Sequence, residues 1–370
     1  MPQLTVPFLR SPLAGLIATL LLLTACGGGS DGPTPPPPPP PAVSVGSLAV
    51  TVAGLPSDVT PSVIVTGPAG YSQSVGATRT LTGLTPGVYT LTSANIADRS
   101  IGYAAPVAAA TVSANATASA SAAYALRILP RSTTNRTDES TSPRFKLLYL
   151  IPNDGADRGL DTNATLHRSI SSGQRWLSAQ TAGRSIRYDV ANGGLDITFV
   201  RLPRTDAAYY SYNGFIRDSI ERDLRAVGWT QANVMLLGYY DGRHIDRCAS
   251  AAWPPNLVGT FAGIYLRGLP NAANGCANNP FAASPTAAPG YLEYVAQHEI
   301  FHLLGVVSTA APNHALSGHV GNDPTDLMYA GPLVWRPSTV DVTKTNYYNP
   351  SGLPGTVANF SNSPYVVAAP

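Results

Sequence analysis

The sequence predicts an α+β protein in which a small all-β sandwich domain precedes a larger domain of mixed strands and helices. Residues 43–126 contain short runs of alternating apolar residues separated by glycine and proline turns, which is typical of a sandwich. From Phe145 onward strand and helix patterns alternate, and a helical stretch near residue 300 carries two histidines four residues apart. Charged residues make up only 12% of the 370-residue chain and the net charge is +2, which excludes the basic surface that nucleic-acid binding requires.

The first 26 residues have the layout of an export signal. Arg10 precedes an apolar stretch, residues 13–23, that is too short to span a bilayer. The run Leu23-Thr24-Ala25-Cys26 resembles a bacterial lipobox, which implies cleavage before Cys26 and lipidation of that cysteine. An ordinary signal peptide with an incidental cysteine is the alternative. Gly28 stands where inner-membrane lipoproteins carry an aspartate, so we expect a cell-envelope lipoprotein in the outer membrane of a Gram-negative bacterium, or a protein displayed at the cell surface.

A linker and a β module follow the signal. Residues 27–42 are rich in glycine and then proline, and the proline run predicts a stiff polyproline II spacer. Residues 43–126 resemble carboxypeptidase-regulatory-like or PEGA-like modules of bacterial surface proteins, and they contain no histidine, glutamate or cysteine. We therefore expect this module to be a spacer, with carbohydrate or wall binding through Tyr71 or Tyr103 as the alternative. Residues 127–142 are polar and form a connection.

The last domain covers residues 143–370 and opens with an apolar run, 146–151, that predicts a buried first strand. Periodicity predicts helices over 162–180 and 215–227, and strands over 186–190, 195–202, 233–239 and 261–266. We expect the strand at 261–266 to form the sheet edge along which an extended peptide pairs. No strong periodicity remains after Met328.

A pattern of the form H-E-x-x-H is the strongest chemical signal. Residues i and i+4 of a helix lie on one face, so His298 and His302 can reach one metal ion while Glu299 moves a proton beside it. Gly305 is a natural end for this helix. The alternative is a core helix whose histidines are only hydrogen-bonded. Random placement of six histidines and four glutamates predicts about 0.001 such matches, which favours the metal site.

The third ligand of such a site has few candidates. A catalytic zinc ion takes three protein ligands and keeps one position open. No glutamate follows Glu299, which excludes a thermolysin-like site with a later glutamate as ligand. The later histidines and aspartates are His314, His319, Asp323, Asp326 and Asp341.

The residues around the motif resemble the metzincin zinc peptidases over roughly residues 140–350. Two runs carry the resemblance: His298-Glu299-x-x-His302-x-x-Gly305 and Asp326-Leu327-Met328-Tyr329. The family places a third histidine where this chain has Ser308, so the loop is lengthened here. His319 lies nine residues before Met328, near the spacing of matrix metallopeptidases, and is the predicted third ligand. His314 is the alternative, and Asp323 or Asp326 could also ligate.

The resemblance implies a zinc-dependent endopeptidase with one catalytic Zn²⁺ and a protein or peptide substrate. Glu299 would be the general base for a zinc-activated water, and Met328 would form a structural turn below the ion. Tyr347 and Tyr348 are candidates to assist at the oxyanion. We expect a monomer held to a membrane by a lipid anchor. The alternative is a catalytically degenerate metzincin-like surface module that binds a protein or glycan partner, which the loss at Ser308 favours and the intact Glu299 opposes.

Two cysteines remain besides Cys26. In an exported protein Cys248 and Cys276 are expected to form a disulfide bond, closing a loop of about 28 residues and stabilising the fold by roughly 3 kcal/mol. A metal site is the alternative, but only His244 lies near them in the sequence. His244 and His167 are therefore expected to be ordinary loop and helix histidines.

Overall fold

The structure, a computed structural model, describes residues 44–271 and 275–368. The predicted export signal, the lipobox cysteine Cys26 and the linker lie outside the described residues. Contacts join the residues from Ser44 onward into a single unit, and the domain boundaries predicted within that unit stay predictions. Among the described residues strands make up 34% and helices 18%, which confirms the α+β class. No helix among the described residues is long and apolar enough to cross a membrane.

The N-terminal β module is built from short strands with alternating buried and exposed residues. Its strands are β1 Gly46–Ala53, β2 Val63–Thr66, β3 Ser72–Val75, β4 Arg79–Leu84, β5 Gly87–Ser93, β6 Ile96–Asp98, β7 Ile101–Ala104, β8 Ala108–Val112, β9 Thr117–Ala123 and β10 Ala125–Leu126. Two sheets, in the orders β4-β1-β9 and β3-β2-β5-β8, share one apolar core, and β10-β7-β6 form a third small sheet. Every second side chain of β1, such as Leu48 and Val50, is buried in the core between the sheets, as the alternating sequence pattern predicted.

The rest of the chain alternates strands and helices before the histidine-bearing helix. The elements are β11 Arg144–Ile151, α1 Thr165–Gln180, β12 Arg184–Ile186, β13 Val190–Ala191, β14 Gly194–Leu195, β15 Ile197–Arg201, α2 Asp206–Tyr210, α3 Ile216–Ala226, β16 Val234–His244, β17 Ala249–Trp253, β18 Leu257–Gly268, α4 Tyr291–Leu303, β19 His314–Ala315, β20 His319–Val320 and β21 Val366–Ala368. The predicted helices and most predicted strands match these elements to within a few residues.

Five of these strands form the central sheet, in the order β15-β11-β16-β18-β17. The first four are mutually parallel, and β17 joins the end of the sheet as an antiparallel hairpin partner of β18. The prediction that residues 261–266 form the sheet edge is therefore wrong, because β18 is covered by β17. The segment Ala249–Trp253 reads Ala-Ser-Ala-Ala-Trp, and its alanines give little strand signal.

The first strand of this sheet is buried along its whole length, including a charged residue. Lys146 is only 1% exposed, and its Nζ donates to Asp189 (3.1 Å) and to Asp196. Arg144 and Arg136 complete the network by pairing with these same two carboxylates. Because each buried charge faces an opposite charge, the strand can carry a lysine into the core.

Helix α4 packs between the sheet and α1 and is held at both ends. At its start, the Glu293 carboxylate accepts the backbone N–H of Gly290 (2.8 Å) and the hydroxyl of Ser169 on α1 (2.5 Å). At its end, Gly305 has a φ of +67°, which turns the chain away from the helix. These contacts define where the helix begins and ends, and Ser169 ties its start to α1.

The β module is braced against this same layer. Arg175 on α1 pairs with Asp98 (2.7 Å) and with Asp58 of the module. Gln174 donates to the carbonyl of Arg99 (3.2 Å). The β module therefore packs directly against α1 through these side-chain contacts.

Candidate metal centre

Three histidine side chains converge at the surface of α4. His298 and His302 lie one helical turn apart, and their Nε2 atoms are 3.0 Å apart. His319 reaches the same point from β20, with its Nε2 3.2 Å from that of His298 and 3.1 Å from that of His302. These three are the group of His, Cys, Asp and Glu side chains within the described residues whose atoms could hold one metal ion.

Hydrogen bonds fix the tautomers of two of the three rings, His298 and His319, and leave Nε2 of each as an acceptor; Nδ1 of His302 has no hydrogen-bond partner. Nδ1 of His298 donates to the Leu327 carbonyl (2.7 Å), and Nδ1 of His319 donates to the Leu316 carbonyl (2.9 Å). A neutral imidazole has one N–H, so Nε2 of His298 and Nε2 of His319 each present a lone pair. Two lone pairs at 3.2 Å repel each other unless a cation lies between them. The arrangement therefore fits a metal ion better than it fits a hydrogen-bonded core.

Burial keeps the three imidazoles neutral, which is the form that binds metal ions. Burial lowers the pKa of His298 to about 3, and it lowers the pKa values of His302 and His319 as well. A tetrahedral zinc site with Zn–N bonds of about 2.0–2.1 Å places its nitrogens roughly 3.3 Å apart. The observed separations of 3.0–3.2 Å are close to that value.

Glu299 lies beside the histidines in a buried position. Its side chain is 7% exposed and lines the same cleft as His298. Burial raises its pKa to about 8, and the positive charge of Arg247 opposes that shift. A cation held by the histidines would favour the carboxylate in the same way as Arg247 does.

The other ligand candidates are engaged elsewhere. His314 stacks on the indole of Trp253, with ring centroids 5.7 Å apart and planes 17° from parallel. Asp323 accepts the hydroxyl of Thr325 (2.7 Å) in its own turn. The hydroxyl oxygen of Ser308 accepts the backbone N–H of Ala358 (3.4 Å).

Asp326 and Asp341 organise the chain that follows the site. Asp326 accepts the backbone N–H of Met328 (2.8 Å) and the hydroxyl of Tyr347 (2.6 Å), and Met328 is fully buried. Asp341 accepts the backbone N–H groups of Tyr347 (2.7 Å) and Tyr348 (2.8 Å). Both tyrosines are buried in this network and neither lines the cavities around the histidines, so they offer no hydroxyl to a substrate there.

Two cavities meet at His298, Glu299 and His319, and the larger one also reaches His302. One is a cleft of about 790 Å³ that runs along β17 and past Phe215 and Leu257. The other, of about 220 Å³, has aromatic walls made by Tyr291, Tyr329 and Trp335. The sequence did not predict this cavity, because Tyr291 begins α4 while Tyr329 and Trp335 come from the irregular chain after Leu327, and no local pattern shows that they meet.

Cys248 and Cys276 are adjacent in space and close to the second cavity. The backbone N of Cys276 lies 2.7 Å from Sγ of Cys248, and both side chains are buried. No disulfide bond joins them among the described residues, so the disulfide stays a prediction that the proximity permits. A hydrogen bond from Cys276 lowers the pKa of the Cys248 thiol, whereas burial raises that of Cys276.

The remaining histidines take no part in the site. His167 on α1 is 2% exposed with no hydrogen-bond partner on either ring nitrogen, and burial lowers its pKa to about 4. His244 ends β16 and its ring lies against that of Tyr265, with centroids 4.4 Å apart. Both are packed side chains. The prediction that His244 is a loop histidine is wrong, because it is the last residue of β16 and only 1% exposed.

Comparison with known proteins adds little beyond the motif. No protein-family profile and no curated protein matches this chain. A chain from a structure titled as a chaperone–substrate complex aligns with a TM-score of 0.26 at 9% identity, over 80% of this chain and 36% of that one. Metalloproteinase-II from Bacteroides fragilis aligns with a TM-score of 0.25 at 14% identity, over 79% of this chain and 80% of that one. This chain thus spans about a third of the first of these chains, and neither likeness is close enough to carry an argument about function.

Proposed function

We propose that this protein is a zinc-dependent endopeptidase. The observation that carries the proposal is the convergence of three neutral histidines, with Nε2 atoms 3.0–3.2 Å apart, beside Glu299 in an open cleft. A core helix with hydrogen-bonded histidines would pair each lone pair with a donor. A purely structural zinc site would take a fourth protein ligand and would not need a carboxylate in the cleft.

The ligands for the ion would be His298, His302 and His319 through their Nε2 atoms. A zinc ion there would supply Lewis acidity toward the scissile carbonyl and would lower the pKa of a water molecule. The carbonyls of Leu327 and Leu316 hold two of the rings by their Nδ1 atoms, which keeps each Nε2 directed at one point.

Glu299 would act as the general base. It follows His298 directly and lines the same cleft, so its carboxylate is placed to accept the proton of the attacking water and pass it to the leaving amine. Arg247 lines the cleft, and its positive charge opposes the rise of the Glu299 pKa that burial causes.

The shape of the cleft supports a polypeptide substrate. Strand β17 pairs only with β18 in the central sheet, so its other edge can add an extended peptide by backbone hydrogen bonds. This edge lines the cleft at Ala249, Ser250 and Ala251. The aromatic cavity next to the histidines would take a large apolar side chain of that peptide.

The site of action we propose is the cell envelope. The run ending in Cys26 resembles a lipobox, and the proline-rich linker would separate the folded unit from a membrane surface. We further propose that the protein acts as a monomer. Labelling with a radioactive fatty acid tests the anchor, because Cys26→Ser removes the acceptor; label that persists in this variant would refute lipidation.

Replacement of Glu299 by glutamine tests the proposed chemistry. Glu299→Gln keeps the size of the side chain and leaves the three histidines in place, so zinc should remain at one ion per chain. Peptide hydrolysis should fall by about 10²–10⁴-fold, the usual contribution of a general base. The matched control is Glu139→Gln at an exposed position, which should hydrolyse like the wild type.

Two results would contradict the proposal in different ways. Full hydrolysis by Glu299→Gln with zinc bound would remove Glu299 from the chemistry. A wild-type protein that binds no zinc and cleaves no peptide would instead favour the surface-binding module, and pull-down with cell-wall glycans or envelope proteins would then be the next measurement.

A further inference from the structure

We infer that Trp253, at the end of β17, is a positioning residue that holds the loop carrying the third metal ligand. The inference rests on the proposed metal site but goes beyond it, since Trp253 touches none of the proposed reacting atoms. In this role Trp253 and His314 do not bind the metal ion; they hold in place the loop that carries His319.

The indole contacts the loop between α4 and β20 at three points. Its Nε1 donates to the carbonyl of Val306, just after the helix (3.2 Å). Its ring stacks on His314 in β19. Its ring atoms also lie against Gly318, where an added Cβ would be 2.5 Å away. One side chain thus ties together the beginning, the middle and the end of the loop.

Two glycines of this loop, Gly305 and Gly318, lie so close to Trp253 and Pro254 that a side chain would not fit. Gly318 has a φ of +77° and abuts the indole, so a side chain there would be strained by its backbone and would collide with Trp253. Gly305 has a φ of +67°, and its Cβ would meet the carbonyl oxygen of Pro254 at 2.6 Å. The loop therefore packs closely against Pro254 at its first residues, near Gly305, and against Trp253 at its last residues, near Gly318.

The stacking on Trp253 indicates a structural role for His314. The hairpin of β19 and β20 pairs His314 with Val320, the residue next to His319. Because the imidazole of His314 lies flat on the indole, the stack fixes the hairpin on which His319 is carried. His314 would thereby support the ligand rather than be one.

The consequence concerns metal affinity. His298 and His302 are held by a helix, but His319 depends on a loop for its position. Without the indole the loop would sample other arrangements, and binding an ion would have to order it again. Trp253 also ends the strand whose edge lines the cleft, so the strand that would hold a peptide and the loop that would hold the ion are joined by one side chain.

Zinc affinity and the cobalt spectrum test this role without using turnover. We would compare Trp253→Ala and Trp253→Phe with wild type by competition against a chromophoric chelator, and record the visible absorption of the Co²⁺ forms. Trp253→Ala should bind zinc about 10–100-fold more weakly, the range for residues that orient ligands. Its cobalt spectrum should differ from that of wild type, because His319 is no longer held in place. Trp253→Phe keeps a flat ring but loses the Val306 hydrogen bond, so it should lie between the two.

The controls separate positioning from general destabilisation. Trp229→Ala removes a partly buried tryptophan that packs against apolar residues of α3 and β16, such as Leu224 and Leu236. This cluster contains none of the three histidines, so zinc affinity and the cobalt spectrum should stay unchanged. Thermal melting of the metal-free proteins shows whether each variant folds. If Trp253→Ala does not fold, Trp253→Phe and Gly318→Ala decide, since both should still weaken zinc binding.

The outcomes distinguish this inference from the proposed function. If wild type and Trp253→Ala bind zinc equally and give the same cobalt spectrum, Trp253 has no positioning role while the metal site stands. If the wild-type protein itself binds no zinc, the proposed function fails and the inference fails with it.

Discussion

Removal of His319 is the decisive perturbation of the proposed site. His319→Ala deletes one of three nitrogens that meet within 3.0–3.2 Å and leaves the two on α4 unchanged. Structural zinc sites with four ligands bind with apparent free energies of about 10–16 kcal/mol, or roughly 2.5–4 kcal/mol for each ligand. At about 1.4 kcal/mol for each tenfold change, losing His319 should weaken zinc binding by about 10²–10³-fold.

The matched control is the neighbouring histidine. His314→Phe removes the second candidate ligand but keeps a flat ring on Trp253, so its zinc affinity should stay close to that of wild type. Zinc content after gel filtration and dissociation constants from chelator competition measure both variants. If His314→Phe loses zinc while His319→Ala keeps it, the assignment moves to His314 and the structural reasoning about this loop is wrong.

Three further predictions concern the fold. Lys146→Ala should lower the free energy of unfolding by about 3–5 kcal/mol in urea titrations, because Asp189 and Asp196 would keep buried charge with one partner fewer; an unchanged midpoint would contradict this. His167 has a folded pKa of about 4 against an ordinary value near 6.5, so only the unfolded chain takes up its proton in that range. Stability should therefore fall by up to ~3 kcal/mol as the pH drops from 6.5 to 4, and His167→Leu should flatten that part of the pH profile. Cys248 and Cys276 should be linked in exported protein, so alkylation before mass measurement should add label only after reduction; label on both without reduction would refute the bond.

The parts of the fold that follow from local pattern could be predicted from the sequence. The apolar run at 146–151 and the helical periodicities at 162–180 and 215–227 became β11, α1 and α3, because each pattern reports the burial of one segment by itself. The pair His298 and His302 belongs to the same class, since helix geometry alone brings residues four apart together.

The sheet edge was not predictable in this way. A local sequence pattern can indicate that a segment is a strand, but it does not show how many neighbours the strand has. In the sheet β18 pairs on both sides, and β17 forms the edge. The alanine-rich β17 carries little strand propensity and is held by its hairpin with β18. The aromatic cavity was missed for a related reason, because Tyr329 and Trp335 come from irregular chain whose course is set by Asp326 rather than by periodicity.

The choice between His319 and His314 depends on the register of one hairpin. Across β19 and β20, His314 stands opposite Val320, and Ala315 stands opposite His319. Opposed residues share a face and successive residues alternate, so the two histidines point to opposite sides of the hairpin. A register shift of one residue would place both histidines on the same side of the hairpin. The turn between the strands, where Ser317 and Gly318 have positive φ angles, sets the register. In the structure the hairpin contacts Trp253 at two points: the ring of His314 stacks on the indole, and Gly318 approaches the indole closely. Which histidine faces His298 and His302 therefore depends on contact with a distant strand, which is why spacing from Met328 could favour His319 but could not establish it.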